Sequence, residues 1–555
     1  MAVYRSDQAQ LTFGTEAAPG GYPEIATTAT MTGSKVTTGI LNAGSSSLTL
    51  SSAPDSGMIA GAFICIGAAA QETELRKIEH VDSNTLFLDA PVGFTHPSGV
   101  LVRVASGLIA DVDANKFITL VPGVYETVDV PDPDMTIEAR YLLGTQSKRN
   151  FYVAYKGQQT YTGSVPGFIL LDGRALRYPI GKVETTVNAT GPRTYLSNNA
   201  SKGDVFITIA STTNLVVDDL IGIDTTVGTT PSSGGVGEIR KIVGITGTVI
   251  KLDYPLSFAH TAAGSGTTQI MEIANTGVIY YHHISETVDL DTVSWHLHMR
   301  DSGETPANDF DRRYYGGLIG GATLSADEGG MLNMSWDGVN FQGMVHNQKK
   351  GNPPSSEGVT TTGDVPFYSY MQSIDSDNVV FPTTEPYYFS QGSVTIFGQE
   401  IARIRNFSLS IANNEEPRYY IQRRFGRNRG PTEIREQRRE YSLSVTLALP
   451  DSTPALTEPT ARLFNELLWE GDYGAGSGTG MQGFNLTLRF DRGAADSIVI
   501  TIPDDGTAAT GGNEQGAFIR TAPHAISGEN PLQVDADVLF RNLKILVTDS
   551  VYYYP

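Results

Sequence analysis

Residues 74–96 read ELRKIEHVDSNTLFLDAPVGFTH, and residues 238–260 read EIRKIVGITGTVIKLDYPLSFAH. The two align without a gap, with nine of 23 positions identical, among them Glu74/Glu238, Arg76/Arg240, Asp89/Asp253 and His96/His260. A match of this kind inside one chain marks two copies of one module. The flanks agree, since apolar runs at 45–50 and 59–66 precede the first copy and runs at 203–209 and 217–223 precede the second. Their alternation and polar turns predict four or five short strands per copy, placed at 36–105 and 193–273. The shared Glu, Arg, Asp and His could form a catalytic set. However, Glu-x-Arg-Lys-Ile alternates as a strand does, and Asp before Pro is turn chemistry, so a structural role is expected.

With both copies set aside, the remaining chain reads as one strand order written twice. In the first half, alternating runs at 117–125, 135–141 and 150–165 lead to a short helix candidate at 170–178, then strands at 286–300, 313–326 and 330–341. The second half repeats this at 388–412 and 440–449. A helix then starts at Thr457 with Pro459 in its first turn and Leu463, Phe464, Leu467 and Leu468 on one face. Strands at 483–491, 496–502, 516–526 and 532–548 follow, and similar hairpins close the halves at 323–335 and 525–535. The expected fold is mainly β: two duplicated β-sandwich or barrel domains, each with one packed helix, plus the two small inserted modules. The expected division is an N-terminal arm and first strand at 1–35, module one at 36–105 and the first domain at 106–192. Module two follows at 193–273, the rest of the first domain at 274–345, a linker at 346–386 and the second domain at 387–555. The linker stretch, with Lys349, Lys350, Pro353 and Pro354 among Gly, Ser and Thr, has no core-forming pattern.

The 555 residues carry 60 acidic and 39 basic side chains, a net charge of −21, which argues against polyanion binding as the main activity. One cysteine, Cys65, excludes an intrachain disulfide, and its apolar surroundings read as core. Residues 1–5 carry no secretory pattern and no run reaches the length of a membrane span, so a soluble product made in a cytoplasm is expected.

Against that acidic background, eight arginines crowd into 418–439: Arg418, Arg423, Arg424, Arg427, Arg429, Arg435, Arg438 and Arg439. They lie between two strand runs, with Gly426, Gly430 and Pro431 among them, and read as a long loop. DNA contact, a solvated loop and an arm that docks on acidic surfaces of a neighbouring subunit are the three readings. The arm is preferred, because guanidinium forks carboxylates in bidentate pairs. His282, His283, His296 and His298 fall close together and could meet a zinc ion if their strands pair, yet no cysteine completes the set, and packing is expected instead. Gly478, Gly480 and Gly483 spell a dinucleotide fingerprint in the wrong context, after a helix and before a strand. Acidic clusters at 129–134, 327–328 and 504–505 read as solvated turns rather than calcium sites. No catalytic residue, metal site or cofactor is expected.

The order of segments resembles the major tail tube proteins of long-tailed bacteriophages. The resemblance rests on Phe13, Gly14, Thr15 and Glu16 near the start, and on the stretches at 138–145, 163–165, 170–174 and 324–330. In the second half it rests on 389–392, 404–411 and 438–443. It covers the chain outside the inserted modules, and no single motif in it performs chemistry. It implies a structural virion protein, not an enzyme. Rings with sixfold or pseudo-sixfold symmetry would stack around a channel through which DNA passes without specific binding. With two tube domains per chain, three copies would suffice for a ring. It also implies tape measure, tail-terminator and distal tail proteins as partners, no membrane partner, assembly in the host cytoplasm and a place in the virion tail. The arginine-rich loop would be the one that grips the adjacent ring. A distal tail or baseplate ring protein of the same fold is the alternative, and a tail-associated glycan hydrolase a further one.

Overall fold

The computed structural model describes residues 9–16, 30–106, 121–140, 153–299, 310–346, 384–448, 485–503 and 517–550. Excepted within these are 43–44, 61, 68–73, 89–91, 93–94, 122, 189–190, 203, 205, 231–235, 253–255, 263–268, 274–276, 288, 397–398, 402–403, 421–429, 494, 522–523 and 526–532. The predicted helix from Thr457, the Gly478–Gly483 stretch, the acidic pair at 504–505 and most of the expected linker lie outside the described residues.

Alternation decides most of the strands. Ile404–Ala412 buries Phe407, Leu409 and Ile411 and leaves Ser408 and Ser410 half-buried, the signature of a strand with one face on a core. Thirteen strands join one antiparallel sheet. Its main path runs Ala517–Thr521, Gln533–Phe540, Glu440–Ala448, Ile404–Ala412, Phe310–Asp327, Asn333–Asn340, Val153–Ile169 and Val124–Tyr125. Ala9–Thr15 pairs Val293–Met299, which pairs Phe310–Asp327 in turn. A second, seven-stranded sheet runs Val183–Val187, Tyr280–Ser285, Lys544–Asp549, Asp496–Ile502, Leu486–Gly493, Gly392–Ile396 and Gln399–Ile401.

Both sheets cross from the first half of the chain to the second. Phe310–Asp327 pairs Ile404–Ala412 in the larger sheet, and Tyr280–Ser285 pairs Lys544–Asp549 in the smaller. One core cluster holds side chains of both halves, from Phe13, Trp295 and Trp336 to Phe407, Phe490 and Val547. The halves therefore share a core, and two separately closed domains are not what the sheets describe. Edge-on aromatic contacts organise the first-half end of that core. The Trp336 ring meets Phe13 at 5.2 Å and Phe168 at 5.3 Å, and Phe13 meets Tyr178 at 5.3 Å. Removing the fully buried Trp336 side chain would cost about 3–5 kcal/mol. The candidate helix at 170–178 appears as a 3-10 turn, Arg174–Leu176, followed by the α-helix Arg177–Ile180.

The 18-residue strand Phe310–Asp327 changes partners along its length. It pairs Val293–Met299 and Gly343–His346 first, then Asn333–Asn340 and Ile404–Ala412. A bulge sits at the changeover, where Gly316 takes φ +65° and a Cβ on Gly317 would lie 2.4 Å from the Phe341 ring. Only glycine meets both demands.

Each module is a six-stranded sheet of its own rather than the four or five strands expected, module one starts at Thr30 rather than 36, and both have the same strand order. Module one runs Thr30–Val36, Leu101–Ser106, Phe63–Ile66, Glu74–Asp82, Thr85–Leu88 and Ser47–Thr49. Module two runs Arg193–Tyr195, Gln269–Ile273, Leu220–Ile223, Glu238–Thr246, Val249–Leu252 and Phe206–Thr208. Cys65 is buried in module one, as its surroundings predict.

Candidate assembly surface and buried charge clusters

The arginine-rich segment springs from the paired strands Ile404–Ala412 and Glu440–Ala448 and continues as a two-stranded ribbon, Glu416–Arg418 against Glu433–Arg435. Its root is clamped onto the first half of the same chain. Asn413, 1% exposed, donates through Nδ2 to the carbonyls of Ile319 at 2.8 Å and Pro179 at 3.1 Å. Arg439 donates to Asn413 Oδ1 at 2.7 Å and to the Ile180 carbonyl at 3.0 Å, with Glu286 at 3.4 Å and Glu436 at 3.7 Å. Glu436 accepts the Leu290 amide at 2.6 Å, and Ile434 packs with Leu290 and Leu318. Farther out, the Tyr419 hydroxyl donates to the Gln159 carbonyl at 3.0 Å.

The eight arginines thus divide. Arg439 turns inward and builds the root. Arg418, Arg435 and Arg438 are exposed and face carboxylates on their own ribbon or its base: Glu416 at 2.7 Å, Glu433 at 2.9 Å and Glu440 at 3.6 Å. Pairs exposed to this degree add little to stability. Arg423, Arg424, Arg427 and Arg429 lie outside the described residues. Composition alone did not single out Asn413, Glu436 or Glu415. Burial, and next the Glu436 charge, push the Glu415 carboxyl well above the usual range against the Asn340 hydrogen bond.

The four histidines part company. His282 and His283 lie on Tyr280–Ser285 in the smaller sheet, and His296 and His298 on Val293–Met299 in the larger, so the strands do not pair. His282 is held by Thr185 Oγ1 at 3.0 Å and Asp549 at 3.4 Å. Burial, with His282 and Lys544 nearby, pushes His283 down to about 4. Among the described residues no group of three or more His, Cys, Asp or Glu is arranged for a metal. Two of the acidic clusters are paired: Ser164 donates to Asp129 at 2.7 Å, Arg312 to Asp132, and Arg405 to Glu328 at 3.0 Å.

Three of the residues that the modules share, Glu238, Arg240 and His260, form a buried tie in module two, whereas Asp89 and Asp253 lie outside the described residues. Glu238, 2% exposed, accepts from His260 Nε2 at 2.6 Å, the Ser257 amide at 2.8 Å, the Phe258 amide at 3.3 Å and Arg240. Burial opposes its charge, yet Arg240, His260 and the Ser257 amide together hold the carboxyl below its usual range. The tie fastens the loop that follows Val249–Leu252 onto the Glu238 strand, a structural role. In module one Arg76 and His96 are each 1% exposed, and His96 exchanges backbone bonds with Leu41 at 2.8 and 3.0 Å. The corresponding His260–Ala200 exchange in module two measures 2.8 and 2.9 Å.

Module two is also joined to the body along a seam. Thr185 N donates to the Gly237 carbonyl at 2.9 Å, Gly228 N to Val187 at 2.8 Å, and Lys182 Nζ to Ser257 at 3.2 Å. Val187, Val278 and Tyr280 share a small core with Ile239 and Ile273. A cleft of about 320 Å³ opens beside the seam, lined by Lys182, Lys202, Phe258 and Thr287 among others. Burial, offset in part by Asp291, pushes Lys182 down to about 8.

Among the described residues no helix is long and apolar enough to cross a membrane. In comparison with known proteins, the family described as phage tail tube protein matches residues 173–538, well over half of the chain. No curated protein matches.

Proposed function

The chain belongs to the phage tail tube protein family, and from that premise we propose that three copies close head to tail into one ring and that such rings stack into the conduit for the genome. The family is a structural one, its members self-assemble, and its place is the virion tail. The observation that supports the finer reading is the order of the larger sheet. Its second-half strands, Ala517–Thr521, Gln533–Phe540, Glu440–Ala448 and Ile404–Ala412, meet the first-half strands Phe310–Asp327, Asn333–Asn340, Val153–Ile169 and Val124–Tyr125 end to end. Each block begins on a hairpin pair, which supports reading the join inside the chain as a head-to-tail contact between two similar units. Repeating it between chains sets the Ala517–Thr521 edge of one copy beside the Val124–Tyr125 edge of the next. Such a heterologous contact closes into a ring when the rotation permits.

In this reading the exposed arginines of the ribbon serve contacts between stacked rings, and the channel wall is net acidic, which keeps passing DNA from adhering. Tape measure and tail-end proteins are the partners of the finished tube. Electron microscopy and native mass spectrometry of the purified chain decide the matter. Stacked rings of three copies are expected. Rings of six copies would refute the two-unit reading, and a chain that forms no ring would refute the conduit itself.

A further inference from the structure

The cleft beside the seam sets two lysines against one carboxylate, in a protein whose net charge is −21. The body contributes Lys182, Thr287 and Asp289, and module two contributes Lys202, Ser257 and Phe258. Its volume, about 320 Å³, is room for a small molecule. Lys182 enters from the short connection between Arg177–Ile180 and Val183–Val187, and its side chain is 9% exposed.

Donors outnumber acceptors in this space. Among the described residues, the Ser257 carbonyl at 3.2 Å is the one acceptor within hydrogen-bond distance of Lys182 Nζ, since Asp291 stands off at 3.9 Å. An ammonium carries three N–H donors, so two are left to aim at a ligand. Asp291 is itself engaged by Arg177 at 2.7 Å. The Ser257 hydroxyl accepts from Arg240 at 3.0 Å and keeps its own proton to donate. Thr287 spends its hydroxyl proton on the Asp289 carbonyl at 2.9 Å. Lys202 and Asp289 are exposed at the mouth. Behind Ser257, the buried Glu238 is already shared by Arg240 and His260. Burial pushes Lys182 down to about 8, Asp291 opposes this, and Lys202 adds to it. Two like charges and a hydroxyl donor thus face one opening, an arrangement that a negative charge between them would relieve.

We propose that the cleft binds a small oxyanion, a carboxylate or a phosphate group, between the ammonium groups of Lys182 and Lys202, with Ser257 Oγ as a third donor. Lysine acts as a point charge and suits either head group. Phe258 supplies an apolar wall for the carbon skeleton of the ligand. Lys182 belongs to the body, whereas Lys202 and Ser257 belong to module two, so the anion bridges the seam and stabilises it as its concentration rises. The site lies within one chain and is independent of ring closure.

Isothermal titration calorimetry of the full-length chain tests this. Sulfate stands for a phosphate group in one arm and succinate for a carboxylate in the other, each against sodium chloride of equal ionic strength. The wild type and Lys35→Ser, a control in module one, should bind alike. Lys182→Met and Lys202→Ser should bind at least tenfold more weakly with unchanged circular dichroism. Lys202 is exposed, so its variant carries the test if Lys182→Met fails to fold. The arm that binds more tightly identifies the head group. Binding should also take up protons. At pH 8, where Lys182 is about half charged, the heats in Tris and HEPES buffers should differ by the uptake of up to about half a proton, and affinity should fall as pH rises further. Equal binding by all four proteins, heats independent of the buffer, or no binding of either anion would overturn the site.

Discussion

Modules one and two share a strand order, a buried arginine and a buried histidine, yet they relate differently to the rest of the chain. The apolar cluster of module one is built from residues 41–104 alone, and its described backbone hydrogen bonds outside the strands run within the module. Module two keeps a core of its own and shares a second with Val187, Val278 and Tyr280 of the body. The same fold is thus a self-contained appendage in one place and a structural layer in the other. What differs is the seam, not the module, and a seam made largely of backbone bonds can form wherever an insertion lies flat against a sheet edge.

The largest expected effect separates them by deletion. Replacing 30–106, the full extent of module one's strands, with a short linker should leave the body folded and ring formation intact. Replacing 193–273 should strip the cover from Val187 and Tyr280 and lower the melting temperature of the body, or leave it insoluble. Differential scanning calorimetry of both variants measures this, and a body that tolerates both deletions equally would erase the contrast. Next comes the buried tie. Glu238→Ala leaves Arg240 and His260 without their shared carboxylate and should cost about 3–5 kcal/mol. Arg76→Ala, which removes a fully buried side chain of module one, should weaken that module as well. Limited proteolysis should then show cleavage confined to module one for Arg76→Ala and extending past the seam for Glu238→Ala.

Two titrations give smaller effects. Glu238 is held low in the folded protein, so its contribution is present above the unfolded value near 4.5 and fades as pH falls through the folded value. Acid should therefore loosen module two, read as the loss of protection from proteolysis at the loop that carries Ser257 and His260. Lys182 behaves oppositely: its folded value, about 8, lies below 10.5, so the unfolded chain holds more protons between these limits and seam stability should rise with pH across that window. Urea denaturation at pH 7.5 and pH 10 should show the rise in the wild type and its loss in Lys182→Met. An equal rise in the variant would take the lysine out of the account.

How much could be read from the sequence follows the same division. The modules were legible because the residue types that tie module two together, Glu238, Arg240 and His260, recur in register at Glu74, Arg76 and His96. The seam was not legible, since Thr185, Gly237, Gly228 and Val187 meet through backbone atoms that every residue carries. The strands of the halves could be listed by alternation, but alternation does not say who pairs with whom. Thus His282 and His296, twin-like in sequence, end in different sheets. The crowding of arginines read as a long loop between two strand runs, and the described ends of that segment pair as a two-stranded ribbon. It gave no sign that Arg439 turns inward to Asn413 and Ile180, because that is set by carbonyls at the end of a helix far away in the chain.

In the smaller sheet, Lys544–Asp549 lies between Tyr280–Ser285 on one side and Asp496–Ile502 on the other. A ribosome adding about 5–20 residues per second needs roughly half a minute to two minutes to reach that strand. Until it emerges, Tyr280–Ser285 and Asp496–Ile502 both present bare edges, and nascent chains on one messenger are held close together with those edges exposed. Completing the sheet last also delays the moment at which any copy acquires the shape its neighbours recognise. A chain cut short before Lys544 would keep both edges bare and is expected to aggregate rather than to act as a shorter subunit.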